Sequence, residues 1–298
     1  MVVLRILVTG AGGLLGSKLA ELALKLGHEV YSGYLTHEPT HGIPLRFDIR
    51  DRDALRRAFN GCKPDAVIHT AALTDVDKCE VDRGLAWSIN VEGTRNVAKL
   101  SREYGVFLLY VSTDYVFRGD RGMFREMDEP DPINYYGLTK LEGEREIINT
   151  VEEFCIARAS VIYGARPSSG KVNFATWVIE KLRSGDIVSI VADHWNSPTL
   201  NTNLARMIIE VVERRLTGIY HLAGATRISR YEFAKLIAEE FGLNGELIRP
   251  ITMDEVGWIA SRPRDSSLDV SKAMETLQNK PNTIKEALRV LREELTFH

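Results

Sequence analysis

Short apolar runs alternate with amphipathic stretches through the first half of the chain, and this alternation sets the expected fold. Residues 4–9, Leu-Arg-Ile-Leu-Val-Thr, read as a buried strand. The following stretch carries Leu15, Leu19, Leu22 and Leu26 on one helical face and stops at Gly27. Further strands are expected at 29–33, 45–47, 64–69, 106–111 and 154–159. Helices are expected between them, one through Phe59 capped by Asp51 or Asp53, another from about 85 to 104. Residues 74–80 read as a polar loop or helix start. Strands alternating with helices predict an α/β protein with a Rossmann-type doubly wound parallel sheet.

Beyond Gly164 the alternation becomes less regular. A helix is expected from about Lys171 to Arg183, a strand at 187–191, a turn at 196–199, a helix at 201–215 and a seventh sheet strand at 218–222. Ser229 and Glu232 form a capping box before a helix at 231–241. A strand at 247–251, a polar loop at 262–267 and an amphipathic helix at 283–295 close the chain. The expected division is a nucleotide domain over 1–164, rejoined by 199–224, and a smaller C-terminal α/β substrate domain over 165–198 and 225–298.

Composition narrows the class. The chain has 298 residues, 44% of them apolar, and no apolar run long enough to span a bilayer. Its first residues lead straight into a strand and a glycine loop, unlike a signal peptide. A net charge of −3 offers no case for nucleic acid or an anionic membrane. Three scattered cysteines, without a Cys-x-x-Cys, read as reduced thiols of a cytoplasmic protein. Nothing in the spacing of Glu80 and its neighbouring carboxylates requires a metal.

Candidate chemistry begins at Gly10-Ala-Gly-Gly13-Leu-Leu-Gly16. A strand, a glycine turn and a helix in that order suit a dinucleotide, whose pyrophosphate sits on the helix N-terminus. The end of the second strand has no acid for ribose hydroxyls before Glu38, and no Arg; Thr36 and His37 are the residues at hand. The missing acid leans towards NADPH, with NADH as the alternative. Asp48 suits an adenine amino group. Ala71 and Ala72 follow the fourth strand, where small residues let a cofactor pass. The fifth strand ends in a hydroxyl pair, Ser112-Thr113. Tyr136 and Lys140 are four apart, so on a helix they share a face. A phenol about 4 Å from an ammonium, at an effective dielectric near 20, gains roughly 4 kcal/mol. That would lower a phenol pKa from about 10 by up to about 3 pH units, towards the range of a useful general acid.

Together these motifs resemble the extended short-chain dehydrogenase/reductases, and more narrowly the dTDP-4-dehydrorhamnose reductase family. The segments that carry the resemblance are Ala71-Ala-Leu-Thr-Asp-Val-Asp-Lys-Cys-Glu80, Ile89-Asn-Val-Glu-Gly-Thr94, Ser112-Thr-Asp-Tyr-Val-Phe117, Pro132-Ile-Asn-Tyr-Tyr-Gly-Leu-Thr-Lys140, Ser197-Pro-Thr199 and Arg262-Pro-Arg-Asp-Ser266. It implies that Thr113 hydrogen-bonds the reacting carbonyl, Tyr136 donates the proton, and Lys140 lowers its pKa and binds the nicotinamide ribose. Asn90 would support the lysine through a water. Leu14, Leu15 and Ile49 join the implied cofactor contacts. Thr74, Val76, Asp114, Tyr115 and Trp195 would face the sugar-nucleotide, and Arg262 its phosphates. The implied reaction reduces the 4-keto group of dTDP-4-dehydro-6-deoxy-L-mannose, in a homodimer. Two alternatives stay open: a regulatory role like that of the methionine adenosyltransferase β subunit, and another nucleotide-sugar reductase or epimerase. Asp193-His-Trp-Asn196 departs from the family's usual Asp-Gln-aromatic-Gly, and Arg118-Gly119 from its Asp-Gly or Pro-Gly.

Overall fold

The computed structural model describes residues 2–165 and 172–296. Seven parallel strands form the central sheet: β1 (Arg5–Thr9), β2 (Glu29–Tyr34), β3 (Ile43–Arg46), β4 (Ala66–His69), β5 (Phe107–Thr113), β6 (Phe154–Ala159) and β7 (Gly218–His221). Their spatial order is β3-β2-β1-β4-β5-β6-β7. The order reverses between β1 and β4, and a sheet of this kind takes its ligand at the C-terminal edge beside that reversal. β4 and β5 are buried along their whole length, as the apolar runs require when helices cover both faces.

One face is covered by α1 (Leu14–Lys25) and α8 (Asn201–Glu213). The other is covered by α2 (Arg52–Cys62), α5 (Thr94–Tyr104) and α6 (Tyr135–Ile148). Asp51, not Asp53, caps α2, accepting from the backbone N–H of Asp53 and Ala54 at 3.0 Å. Leu26 does not join the buried face of α1. The helix stops at Lys25, and Leu26 is 44% exposed while Ala20 and Ala23 are buried. α3 (Val76–Val81) starts on an Asp75 cap and α4 (Arg83–Trp87) on an Asp82 cap. The helix expected over 85–104 is not continuous. Ser88–Gly93 form a wider turn between α4 and α5, and Asn90 lies inside it.

A second apolar cluster lies apart from the sheet. It joins Tyr163, α7 (Phe174–Arg183), α9 (Arg230–Glu240) and α11 (Ile284–Thr296) to a parallel strand pair, Val188–Val191 with Ile248–Ile251. The expected start of α7 at Lys171 lies outside the described residues. Ser229 and Glu232 cap α9 reciprocally, each side chain accepting from the other's N–H at 3.0–3.1 Å. Trp195–Asn196 pair antiparallel with Ile228–Ser229, so the expected turn at 196–199 begins inside a strand. A short α10 (Ser271–Thr276) packs beside β7. The polar segment 262–267 is not a solvated loop throughout. Ser266 and Ser267 are fully buried and Asp265 nearly so. Among the described residues no helix is long and apolar enough to cross a membrane.

Candidate active site

A cavity of about 690 Å³ opens along the C-terminal edge of the sheet. Its floor is the glycine loop. α1 begins directly after Gly13, and no side chain caps it, so its first N–H groups are left for an anion. A Cβ on Gly16 would stand 2.3 Å from the Gly10 carbonyl oxygen, so only glycine lets the helix start this close to the loop. Gly10, Gly13, Leu14, Leu15 and Gly16 all line the cavity. So do Thr36 and His37 after β2, Asp48 and Ile49 after β3, and Ala71, Ala72, Thr74 and Val76 after β4. These features fit a dinucleotide: free helix N–H groups for the pyrophosphate, and small residues along its path.

The Asp48 carboxylate accepts from the Arg50 guanidinium, at 2.6 Å for the shortest contact, and this pairing holds its pKa below the usual range. Arg50 lines the cavity too. An arginine therefore does stand near the β2 edge, in the turn after the neighbouring strand β3, with its charge matched by Asp48.

The other wall is built from β5 and the start of α6. Asn134 caps α6, its side chain accepting from the Gly137 N–H at 2.8 Å and donating to the Ser261 carbonyl at 2.9 Å. Glu80 accepts from the Tyr135 N–H at 3.0 Å. A Cβ on Gly137 would lie 2.1 Å from the Tyr115 carbonyl oxygen. Glycine there lets α6 lie against the end of β5, which brings Tyr136 to Thr113 and Tyr115. The Tyr115 and Tyr136 rings stand edge to face, with centroids 6.0 Å apart. Thr113, Asp114, Tyr115, Tyr136 and Lys140 all line the cavity.

Burial pushes the Tyr136 phenol well above its ordinary pKa, with the neighbouring Thr113 hydroxyl opposing. This reverses the expected lowering. Lys140 is 3% exposed, and its Nζ donates to the Val111 carbonyl at 2.8 Å and lies 4.0 Å from the centroid of the Tyr110 ring. Its charge is held against the strand. Burial lowers Lys140 to about 7, and Glu144, one turn further along α6, opposes that fall. Glu144 is itself buried and holds Arg158 of β6 and Ser112 of β5, at 2.7 Å and 2.5 Å. Tyr136, Lys140 and Glu144 thus share one face of α6, anchored to the sheet at the far end.

A lysine with a pKa of about 7 carries its charge below that pH and loses it above. Reductase kcat/KM is expected to fall as the pH rises through about 7, if that charge grips the cofactor. Lys140→Met should lower both rate and NADPH affinity and flatten this limb. An unchanged cofactor Kd would remove Lys140 from the ribose contact.

Three expected contacts do not line the cavity. Asn90 is buried and spans the β4 loop and α6: it accepts from the Leu73 N–H at 2.8 Å and donates to Thr139 Oγ1 at 3.0 Å. Trp195 lies in its short strand with the Arg227 guanidinium 5.3 Å over its ring. Arg262 is paired with Asp77 at 3.0 Å and bonded to the Ala260 carbonyl, so its charge is already matched. Asp114 reaches the cavity wall, but its carboxylate accepts from Thr113 at 3.0 Å, Ser160 at 2.8 Å and Ser266 at 2.6 Å. Its oxygens face these hydroxyls, and burial raises its pKa. Arg50, Asn173 and Arg230 line the cavity without having been expected. Arg50 could have been found from the β2–β3 pairing; Arg230 carries no sequence signal beyond its place beside the capping box.

The profile of the family described as RmlD substrate binding domain matches residues 4–297. A probable low-salt glycan biosynthesis reductase of Haloferax volcanii is 34% identical, over 95% of this chain and 96% of its own. Methionine adenosyltransferase 2 subunit beta of Xenopus tropicalis is 35% identical, over 90% of this chain and 81% of its own. A crystal structure of dTDP-4-dehydrorhamnose reductase from Bacillus anthracis in complex with NADP is 31% identical. It superimposes with a TM-score of 0.89, covering 98% of this chain and 100% of that one.

Proposed function

The chain belongs to the RmlD family of dTDP-4-dehydrorhamnose reductases, and on that premise we propose that it reduces dTDP-4-dehydro-6-deoxy-L-mannose to dTDP-L-rhamnose. It is an NAD(P)H-dependent oxidoreductase of the nucleotide-sugar reductase kind. The observation that carries the reading is the convergence of Thr113, Tyr136 and Lys140 on the cavity that the glycine loop floors. NADPH is the preferred cofactor, with NADH as the alternative. Bound there, it supplies hydride from C4 of its nicotinamide.

The protein's own groups do the rest. The α1 N-terminus and the loop from Gly10 to Gly16 hold the pyrophosphate, and Asp48 and Ile49 lie at the adenine end. Lys140 holds the nicotinamide ribose. Thr113 turns its single hydroxyl proton from Asp114 to the substrate's 4-keto oxygen, and Tyr136 gives that oxygen its proton as negative charge builds on it. A phenol kept protonated by burial is in the right state to donate. The cofactor occupies the sheet, residues 1–164 with 199–224. The sugar-nucleotide lies between it and residues 165–198 and 225–298.

The test is oxidation of NADPH and of NADH with dTDP-4-dehydro-6-deoxy-L-mannose made by coupled enzymes. Turnover ranks the cofactors and supports the reading; its absence despite tight cofactor binding rejects this sugar. The regulatory reading draws on the 35% identity to the methionine adenosyltransferase subunit. It predicts co-purification with a synthetase. An epimerase would keep its cofactor through purification, whereas a reductase exchanges it each turnover.

A further inference from the structure

Four arginines sit in two short segments of the second half of the chain, and three of them are matched. Arg227 pairs with Asp265 at 2.6 Å, Arg262 with Asp77 at 3.0 Å, and Arg264 with Asp193 at 3.3 Å. The fourth, Arg230, opens α9 and lines the cavity that holds Tyr136. Among the described residues its guanidinium has neither an acid nor a hydrogen-bond partner. The nearest acid in chain order, Glu232, is spent on the capping box. Asp114, within Coulombic reach, is committed to three hydroxyls. Residues 166–171, Arg-Pro-Ser-Ser-Gly-Lys, contain no carboxylate to offer.

Arg230 is nevertheless held in place. Its backbone N–H donates to the His194 carbonyl at 3.0 Å, and its guanidinium lies 4.9 Å over the Phe174 ring. Its side chain is half-buried in the cavity wall, and desolvation there lowers its pKa below the usual arginine value, with Tyr115 and Asp114 opposing. A guanidinium held in a cavity wall with no ion pair leaves its donors for whatever enters the cavity. The charge reaches the reaction centre's wall, for it acts on Tyr115, the ring set against Tyr136.

Resting on the nucleotide-sugar reading above, we propose that Arg230 binds the anionic oxygens of the sugar-nucleotide in the cavity that it lines together with Tyr115 and Tyr136. Two sources share this chemistry: the diphosphate, and a carboxylate carried on the sugar. A planar guanidinium meets either with two parallel hydrogen bonds.

The test is calorimetric binding to the NADPH-loaded protein, with UDP, dTDP, UDP-glucose and UDP-glucuronate as probes. It needs no turnover, so it reads the same whether or not the rhamnose assignment survives. Wild type and Arg230→Met are compared. Roughly ten- to hundredfold weaker binding of UDP and dTDP alike assigns Arg230 to the diphosphate. Unchanged UDP and dTDP binding, with a preference for UDP-glucuronate over UDP-glucose that only the wild type shows, assigns it to a sugar carboxylate. Arg230→Lys keeps the charge but not the planar fork, so it should recover part of the affinity that Arg230→Met loses, which separates the ligand contact from misfolding. Equal affinities of wild type and Arg230→Met for all four probes overturn the proposal. So does a wild type that binds none of them, or a loss confined to NADPH itself.

Discussion

Tyr136→Phe should lower kcat by roughly 10²–10⁴-fold while NADPH affinity stays within about twofold of wild type. The substitution removes one oxygen. The ring keeps its edge-to-face contact with Tyr115, and the α6 cap through Asn134 is untouched. What is lost is the proton that the reduced carbonyl oxygen must receive. The phenol is buried and protonated across the ordinary pH range, so its removal should cost the same factor at acid and neutral pH. Stopped-flow oxidation of NADPH with titration of the cofactor separates the two quantities. A mutant with near-normal kcat would take Tyr136 out of the proton-donor role.

Arg158→Met should destabilise the fold by about 3–5 kcal/mol, because it strands a carboxylate in the interior. Arg158 and Glu144 are 2% and 1% exposed and meet at 2.7 Å and 3.0 Å. Without the guanidinium, Glu144 keeps only Ser112 and the nearby Lys140. It should then take up a proton, with two consequences. Stability should become more pH-dependent, since the mutant's carboxyl, protonated when folded, must ionise when the chain unfolds at neutral pH. Its folded pKa is raised above the unfolded one, so the mutant's deficit is smallest below the unfolded carboxyl pKa and grows as the pH rises. Lys140 would also lose the opposing charge that resists its fall, and the pH at which activity declines should move down. Chemical denaturation at several pH values measures the first effect and the pH–rate profile the second. Adding Glu144→Gln to Arg158→Met should recover much of the stability, since no isolated charge remains; a double mutant no better than the single one would argue that shape, not charge, is what Arg158 provides.

The parts of this molecule legible in the sequence are those decided within a few residues. The glycine loop, the apolar strands and the Ser229–Glu232 box each carry their own geometry. Tyr136 and Lys140 could be placed together because one helix holds both. The sense of the phenol's shift could not, because it depends on how deeply the tertiary fold buries Tyr136. Val111 and Tyr110, from a strand some thirty residues earlier, hold the ammonium against the sheet. Of Arg230 and Arg262, only Arg262 reads as a candidate for an anion in the sequence. Only the fold shows that Asp77, across the chain, has already taken it. Ser266 and Ser267 look like loop residues for the same reason: the Asp114 and Asp265 carboxylates that bury them as partners are set by tertiary contacts.

The two apolar cores are threaded through each other along the chain, and this bears on how the protein is made. Residues 174–191 leave the sheet for the second core, 201–221 return to complete it with α8 and β7, and α11 closes the second core near the end. A nascent chain emerging from the ribosome therefore presents β6 with an unpaired edge until some sixty further residues have appeared. The second core waits longer still, for its last helix. Neither half can be produced as one continuous fragment. A truncation after β6 should yield a sheet with its edge bare and one face covered by α1 alone, prone to aggregate rather than to persist as a smaller nucleotide-binding protein.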